Sequence, residues 1–235
     1  MTKLSIIIPA YNEAPTIRDI VKKVLAVSFL VETEIIIIDD FSQDGTHALS
    51  EELRAEFSDR SIRVLRNEKN RGKGLSIQRG LEVATGDIAV VQDADFEYDP
   101  AEIPKLLEPI LQGRVSVVYG SRFLGVSRPS GMAFPNYVAN VFLTWMTNVL
   151  YGCRLTDMET CYKLVKMDVL RSIRLNADRF DFEPELTTKL IKKKVQILEL
   201  PITYHGRTSG EGKKIKARDF FIAIKVLFRN LFQSC

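Results

Sequence analysis

Residues 34–46 read EIIIIDDFSQDGT, and this stretch decides the fold. Four consecutive isoleucines, Ile35 to Ile38, cannot alternate between a core face and a wet face. A strand that is apolar on both faces belongs in a parallel sheet covered by helices on both sides. Asp39 and Asp40 end the run with charge. Ser42, Asp44 and Gly45 then supply turn and cap chemistry for a helix over about Asp44–Phe57. The unit is strand, polar loop, helix.

The same unit recurs on either side. Leu4–Ile8 is an apolar run followed by a helical pattern over about Ala14–Val27. Strands are expected at Ile62–Leu65, Ile88–Gln92 and Val115–Tyr119, with helices at Gly74–Ala84 and Ala101–Gln112 between them. This alternation predicts an α/β domain with a mainly parallel sheet flanked by helices. Right-handed crossovers then gather the strand carboxyl ends along one edge, where open α/β sheets bind ligands. Farther on, helices are expected near Pro135–Tyr151 and Pro184–Lys193, a short segment at Leu155–Val165, a strand at Val195–Leu200 and a closing helix over Asp219–Phe232.

At 235 residues the chain suits a single domain, with 46% hydrophobic and 27% charged residues. The net charge of +3 is unevenly placed: Leu186–Cys235 carries 11 Lys/Arg against 3 Asp/Glu. That basic end either meets a phosphate-rich partner or keeps the surface soluble. No nucleic-acid partner is expected. Three cysteines, Cys153, Cys161 and Cys235, match no metal spacing, and no signal peptide is evident, so the expected setting is cytoplasmic. Met132–Gly152 runs 21 residues without a charge, but Pro135, Asn136, Asn140 and Asn148 make it a poor membrane span. A buried or interfacial helix is expected there.

Four polar clusters follow the predicted strand ends or open the next helix: Pro9–Glu13 (PAYNE), Asp39–Thr46 (DDFSQDGT), Asn70–Gly74 (NRGKG) and Asp93–Glu97 (DADFE). Each alone could be a capped loop; together they mark one sheet edge as a site. In an extended segment Asp93, Asp95 and Glu97 share a face, and three adjacent anions call for a cation. Hard oxygen ligands favour Mg²⁺ or Mn²⁺ with room left for phosphate oxygens. Gly72-Lys73-Gly74 lacks the following Ser/Thr of a P-loop, and Ile77 breaks a dinucleotide fingerprint.

In this order and spacing the four clusters resemble the family 2 glycosyltransferases of GT-A fold, within them the dolichyl-phosphate mannose and glucose synthase branch. The resemblance continues through Gly120-Ser121-Arg122, Thr156–Lys163 (TDMETCYK) and Gly206–Lys214 (GRTSGEGKK). It implies a nucleotide-sugar site formed by Pro9, Tyr11, Glu13, Ile38, Asp40, Lys73, Asp93, Ala94 and Asp95, with Asp40 reading the base. It implies metal ligation at Asp93, Asp95 and Glu97, and contacts of Arg122, Arg207 and Lys213 with donor and acceptor phosphates. Guanidinium suits such paired contacts. The chain departs from the pattern in its acceptor half: only Arg128 precedes the uncharged stretch, and Gly212 stands where a serine is usual.

The reaction this implies is inverting transfer of a hexose from a nucleoside diphosphate sugar to a polyprenyl phosphate, an acceptor already ionised and needing no base. A sugar or protein hydroxyl acceptor would need one. Asp157 is then the candidate base, unless it positions the acceptor or caps a turn. A non-catalytic nucleotide-sugar-binding subunit is the remaining reading. Residues 1–120 are expected to bind the donor and 121–218 the acceptor. The amphipathic 219–235 helix would lie on the cytoplasmic face of a membrane, pack on the core, or meet a second subunit or membrane protein.

Overall fold

The computed structural model describes residues 2–126, 128–206 and 217–233. Its strands are β1 (Lys3–Ala10), β2 (Glu32–Asp39), β3 (Ile62–Arg66), β4 (Ile88–Val91), β5 (Val117–Ser121), β6 (Lys163–Lys166) and β7 (Ile197–Pro201). The helices are α1 (Ile17–Ala26), α2 (Thr46–Glu56), α3 (Lys73–Val83), α4 (Ile103–Leu111), α5 (Phe134–Tyr151), α6 (Met167–Arg171), α7 (Phe182–Lys192) and α8 (Ala217–Phe232). They build a single α/β domain around one seven-stranded sheet.

Strand order is β3-β2-β1-β4-β6-β5-β7. β1 to β4 run parallel, β5 and β7 run parallel to each other, and β6 opposes both β4 and β5. β6 is therefore the one reversed strand. The mainly parallel sheet is as expected; the reversal was not legible, because Lys163–Lys166 is only four residues long and periodicity carries no direction.

The isoleucine run behaves as its composition demands. Ile36, Ile37 and Ile38 are fully buried, as are Ile6, Ile7 and Ile8 of the adjacent β1. Helix α3 lies so close that a Cβ on Gly80 would stand 2.7 Å from Ile7 Cγ2 and 2.8 Å from Ile38 Cδ1. The chain steps outward from β1 to β3, then returns to the other side of β1 as β4. The crevice beyond the carboxyl ends of β1 and β4 is thus the switch point where such sheets take ligands. Reversal of β6 brings the TDMETCYK segment, which precedes it, to the same edge.

The opposite edge is closed. Glu34, fully buried at the start of β2, accepts hydrogen bonds from Ser5 Oγ (2.7 Å), the Thr85 amide (2.6 Å) and the Gly86 amide (3.1 Å). Burial pushes its pKa up, but those donors and nearby Lys3 outweigh it and hold the carboxyl below its usual range.

Helix α8 packs one face inward. Ala223 and Leu227, together with Leu143 and Met146 of α5 and Met158, are buried there. Buried Asn230 donates to Thr188 Oγ1 (2.9 Å), Lys192 Nζ to the Asn230 carbonyl (2.6 Å) and Tyr151 Oη to the Leu227 carbonyl (2.6 Å). The core-packing expectation for this helix holds for that face. Among the described residues no helix is long and apolar enough to cross a membrane.

Candidate functional site

Two loops at the switch point are stitched together by their own polar residues. Ser42 Oγ accepts from the Asn12 amide (2.9 Å), Asn12 Oδ1 from the Gln43 amide (2.9 Å), and Thr46 Oγ1 from the Glu13 amide (2.9 Å). Asn12 and Phe41 sit at φ 51° and 66°, so both loops turn through the left-handed region. Thr16 Oγ1 donates to the Ala94 carbonyl (2.6 Å) and lies 3.0 Å from Glu13 Oε2, tying the PAYNE loop to the DADFE loop. Pro9 and Ala94 are buried in this seam, and Tyr11 remains 38% exposed at its mouth.

Ile38 does not line the crevice with its side chain. It is fully buried under α3 against Gly80, so it supports the floor instead. Asp40 braces a neighbouring loop. Its Oδ1 accepts from Asn67 Nδ2 (2.7 Å) and the Arg71 amide (2.8 Å), and its Oδ2 from the Gly72 amide (2.8 Å). The carboxylate thereby folds the NRGKG loop over the β2 end. Gly72 is required there: its φ is 96°, and a Cβ would stand 2.5 Å from the Asp178 carbonyl oxygen.

That loop delivers Lys73 into a partly buried charge cluster. Its Nζ lies 2.9 Å from Asp93 Oδ1 and 3.0 Å from Glu183 Oε1, with Cys161 Sγ at 3.8 Å. Burial disfavours the ammonium, but the neighbouring anionic groups, led by Asp93, outweigh it and hold its pKa well above the usual lysine value. Glu183 opens α7 and escaped the sequence reading, since nothing local marks it as a partner of Lys73.

The three-carboxylate face expected at DADFE is not formed. β4 stops at Val91 and the chain bends over residues 94–97 instead of running extended. Asp93 turns to Lys73. Asp95 is buried and its Oδ1 accepts the Glu97 amide (2.9 Å), while Glu97 Oε2 accepts from Tyr204 Oη (3.0 Å). Among the described residues no three His, Cys, Asp or Glu side chains come together as a metal group. A hard divalent cation needs only one or two protein carboxylates when substrate phosphates complete its shell. Asp95 suits that smaller donor set.

Across the crevice Arg122 and Asp157 form a buried bidentate pair. Arg122 Nε reaches Asp157 Oδ2 and its Nη2 reaches Oδ1, both at 2.7 Å, and the Arg122 amide adds 2.9 Å to Oδ2. Arg122 Nη2 also donates to Asn140 Oδ1 on α5 (2.9 Å), and the guanidinium lies over Tyr204, 5.4 Å from the ring centre. Burial disfavours the charge, yet Asp157 holds the Arg122 pKa well above its usual value. Asp157 itself has no exposure. Both carboxylate oxygens of Asp157 therefore accept from Arg122. Arg207 and Lys213 lie outside the described residues.

One carboxyl stands apart. Glu159 Oε1 is buried without a hydrogen-bond partner. Burial, then the charge of Glu183, push its pKa up to about 8 against the opposing pull of Lys163 and Arg122. Only its place in the TDMETCYK segment could have flagged it.

Two outcomes follow. Asp157→Asn leaves Arg122 charged and unpaired in the interior, which costs about 3–5 kcal/mol; urea unfolding checks it. Unchanged stability with kcat down about 10²–10⁴-fold would restore the general base. Folded Glu159 keeps its proton to about pH 8, whereas the unfolded chain ionises near the ordinary 4.5. Its stabilising contribution is therefore full below the ordinary range and lost as pH rises through about 8. Glu159→Gln should gain stability relative to the parent between pH 5 and 8, then level off. A pH-independent difference contradicts the assignment.

Known proteins are similar to it along most of its length. The dolichol-phosphate mannosyltransferase of Pyrococcus furiosus is 28% identical over 97% of this chain and 63% of its own length. The dodecaprenyl-phosphate galacturonate synthase of Rhizobium johnstonii is 24% identical over 96% of this chain, which spans 65% of that protein. The UDP-N-acetylglucosamine–dolichyl-phosphate N-acetylglucosaminyltransferase of Methanococcus voltae is 29% identical over 96% of this chain and 94% of its own length. In structure, the glucosyl-3-phosphoglycerate synthase of Mycobacterium tuberculosis, solved with Mn²⁺, UDP and its product, superposes with TM-score 0.73. That likeness, at 22% identity over 98% of this chain and 80% of the synthase, shows a shared GT-A fold. Residues 5–172 match the Glycosyl transferase family 2 profile, and the chain belongs to that family.

Proposed function

We propose that this chain transfers a hexose, with inversion, from a nucleoside diphosphate sugar to a polyprenyl phosphate. The observation that carries the donor half is the meeting of the PAYNE, DDFSQDGT, NRGKG and DADFE loops at the β1–β4 switch point. Tyr11 stands at the mouth of the seam, the Asp40-braced loop forms one wall, and Asp93 with Lys73 forms the floor. Asp95, with Glu97 beside it, would hold Mg²⁺ or Mn²⁺. When bound, such a cation supplies positive charge to the departing diphosphate. Arg207 and Lys213 are the chain's cations proposed to meet the phosphates.

The acceptor half rests on a different observation. Asp157, the expected base, is spent on Arg122. A phosphate monoester is already ionised near neutral pH and needs no proton removed, so a site lacking an accessible base suits it. The relatives named above are by their names transferases to dolichyl or dodecaprenyl phosphate, which supports the same reading. A hydroxyl acceptor finds its support in Glu159, whose raised pKa would suit a base.

Incubation with labelled nucleotide sugars and a polyprenyl phosphate, with product analysis, tests the proposal. A single nucleotide sugar should label the lipid. EDTA should stop turnover, and Asp95→Ala should lower it by at least about 10²-fold without moving the unfolding midpoint. Full turnover in EDTA would remove the metal. Labelled sugar on a hydroxyl compound alone, abolished by Glu159→Gln, would replace the lipid acceptor.

A further inference from the structure

Helix α5 presents an apolar stripe to solvent. Phe134, Val138, Val141, Phe142, Trp145 and Val149 are all exposed, from 41% at Phe142 to 63% at Phe134 and Val149. Their spacing of three and four residues places them on one side of the helix. A helix that buried its apolar residues against the core would show the opposite pattern. Here the buried positions include Thr144 and Thr147. The uncharged character of 132–152 is therefore not explained by the interior.

Helix α8 extends the same surface. Phe221, Phe228 and Phe232 are exposed at 67%, 46% and 85%. Arg218 and Lys225 interleave with them at helical spacing, so aromatic and basic residues share a face. The two stripes are continuous: ring centres step from Trp145 to Phe142 (5.7 Å), to Phe220 (5.9 Å) and to Phe221 (5.5 Å). The exposed apolar area is on the order of several hundred Å², more than a surface carries without a partner.

We propose that this joint face of α5 and α8 docks on an anionic lipid bilayer, which rests on the polyprenyl phosphate reading and gives it an orientation. Charge selects the occupant. α5 carries no charged residue, and the acid of α8, Asp219, is buried. A second copy on this face would oppose Lys225 to its own kind, and the carboxylate of α8, Asp219, is already taken up 3.8 Å from Arg218. Anionic headgroups complement them, and aromatic side chains seat at headgroup depth. The face is also placed to feed the site. Asn140, which accepts from buried Arg122, lies half a turn of the helical wheel from Val138. α5 is thus a wall with the Arg122–Asp157 pair on one side and the lipid on the other. A phosphate at the bilayer surface has about one helix diameter, ~10–12 Å, to cross.

Trp145 is the single tryptophan of the chain and sits mid-stripe, so its emission reads the contact directly. Acceptor-free vesicles of phosphatidylglycerol and phosphatidylcholine should shift the emission to the blue, protect it from acrylamide and pellet the protein. Pure phosphatidylcholine should do so weakly, and salt should reverse the effect. Val141→Glu with Val149→Glu should lower pelleting at least tenfold while the unfolding midpoint holds. Unchanged emission with anionic vesicles overturns the docking. So does a blue shift that follows protein concentration without vesicles and a dimer in sedimentation equilibrium, which would mean a second copy. The acceptor reading is separable. Pelleting without transfer to polyprenyl phosphate keeps the docking and removes the acceptor; transfer to a short, water-soluble polyprenyl phosphate without pelleting does the reverse.

Discussion

A lysine ammonium drawn largely out of water must lie against carboxylates or lose several kcal/mol to desolvation. Lys73 meets that requirement by reaching Asp93 and Glu183 together, and much of the architecture follows from it. Asp93 follows β4 and Glu183 opens α7, so one cation ties the first half of the chain to the second. The NRGKG loop that carries Lys73 is held in turn by the Asp40 carboxylate. Helix α7 clasps α8 through Thr188 and Lys192. The pocket floor, its wall and the C-terminal helix are thereby one connected set of polar contacts.

The same economy shapes the acceptor side. Arg122 is held by Asp157, and Asp157 receives both its guanidinium and its amide. Glu199 fixes the Thr156 and Asp157 amides at 2.7 and 3.0 Å, anchoring the loop on β7. Arg122, which the sequence offers as a phosphate contact, is thus already paired before any ligand arrives. A frame held in this way keeps its side chains in place for a substrate, which is what a transferase needs from groups that do not react.

The isoleucine run and its neighbours made the sheet legible, because strands buried on both faces have few other homes. The loop clusters were legible as a site for a related reason: polar runs at several strand ends converge once the strands are parallel. What failed were inferences that needed direction or partners at long range. Asp93, Asp95 and Glu97 were read as one face on the premise of an extended chain, and the bend after Val91 removes it. The contacts of Asp40 with the amides of Arg71 and Gly72, and of Asp157 with Arg122, carry no local signature in the sequence. Glu183 lies in a segment without any local signature, Glu159 is marked only by its place in TDMETCYK, and the uncharged α5 reads in sequence as a buried or interfacial helix.

The central claim is that the four loops at the β1–β4 switch point form a single nucleoside diphosphate site. Hydrogen exchange with and without a nucleoside diphosphate and Mn²⁺ tests it most directly. The account predicts added protection at residues 10–14, 40–44, 70–74 and 93–98 together, with none in α6 at the far end of β6. Protection confined to one loop, or absent from all four with any nucleoside diphosphate, would contradict it.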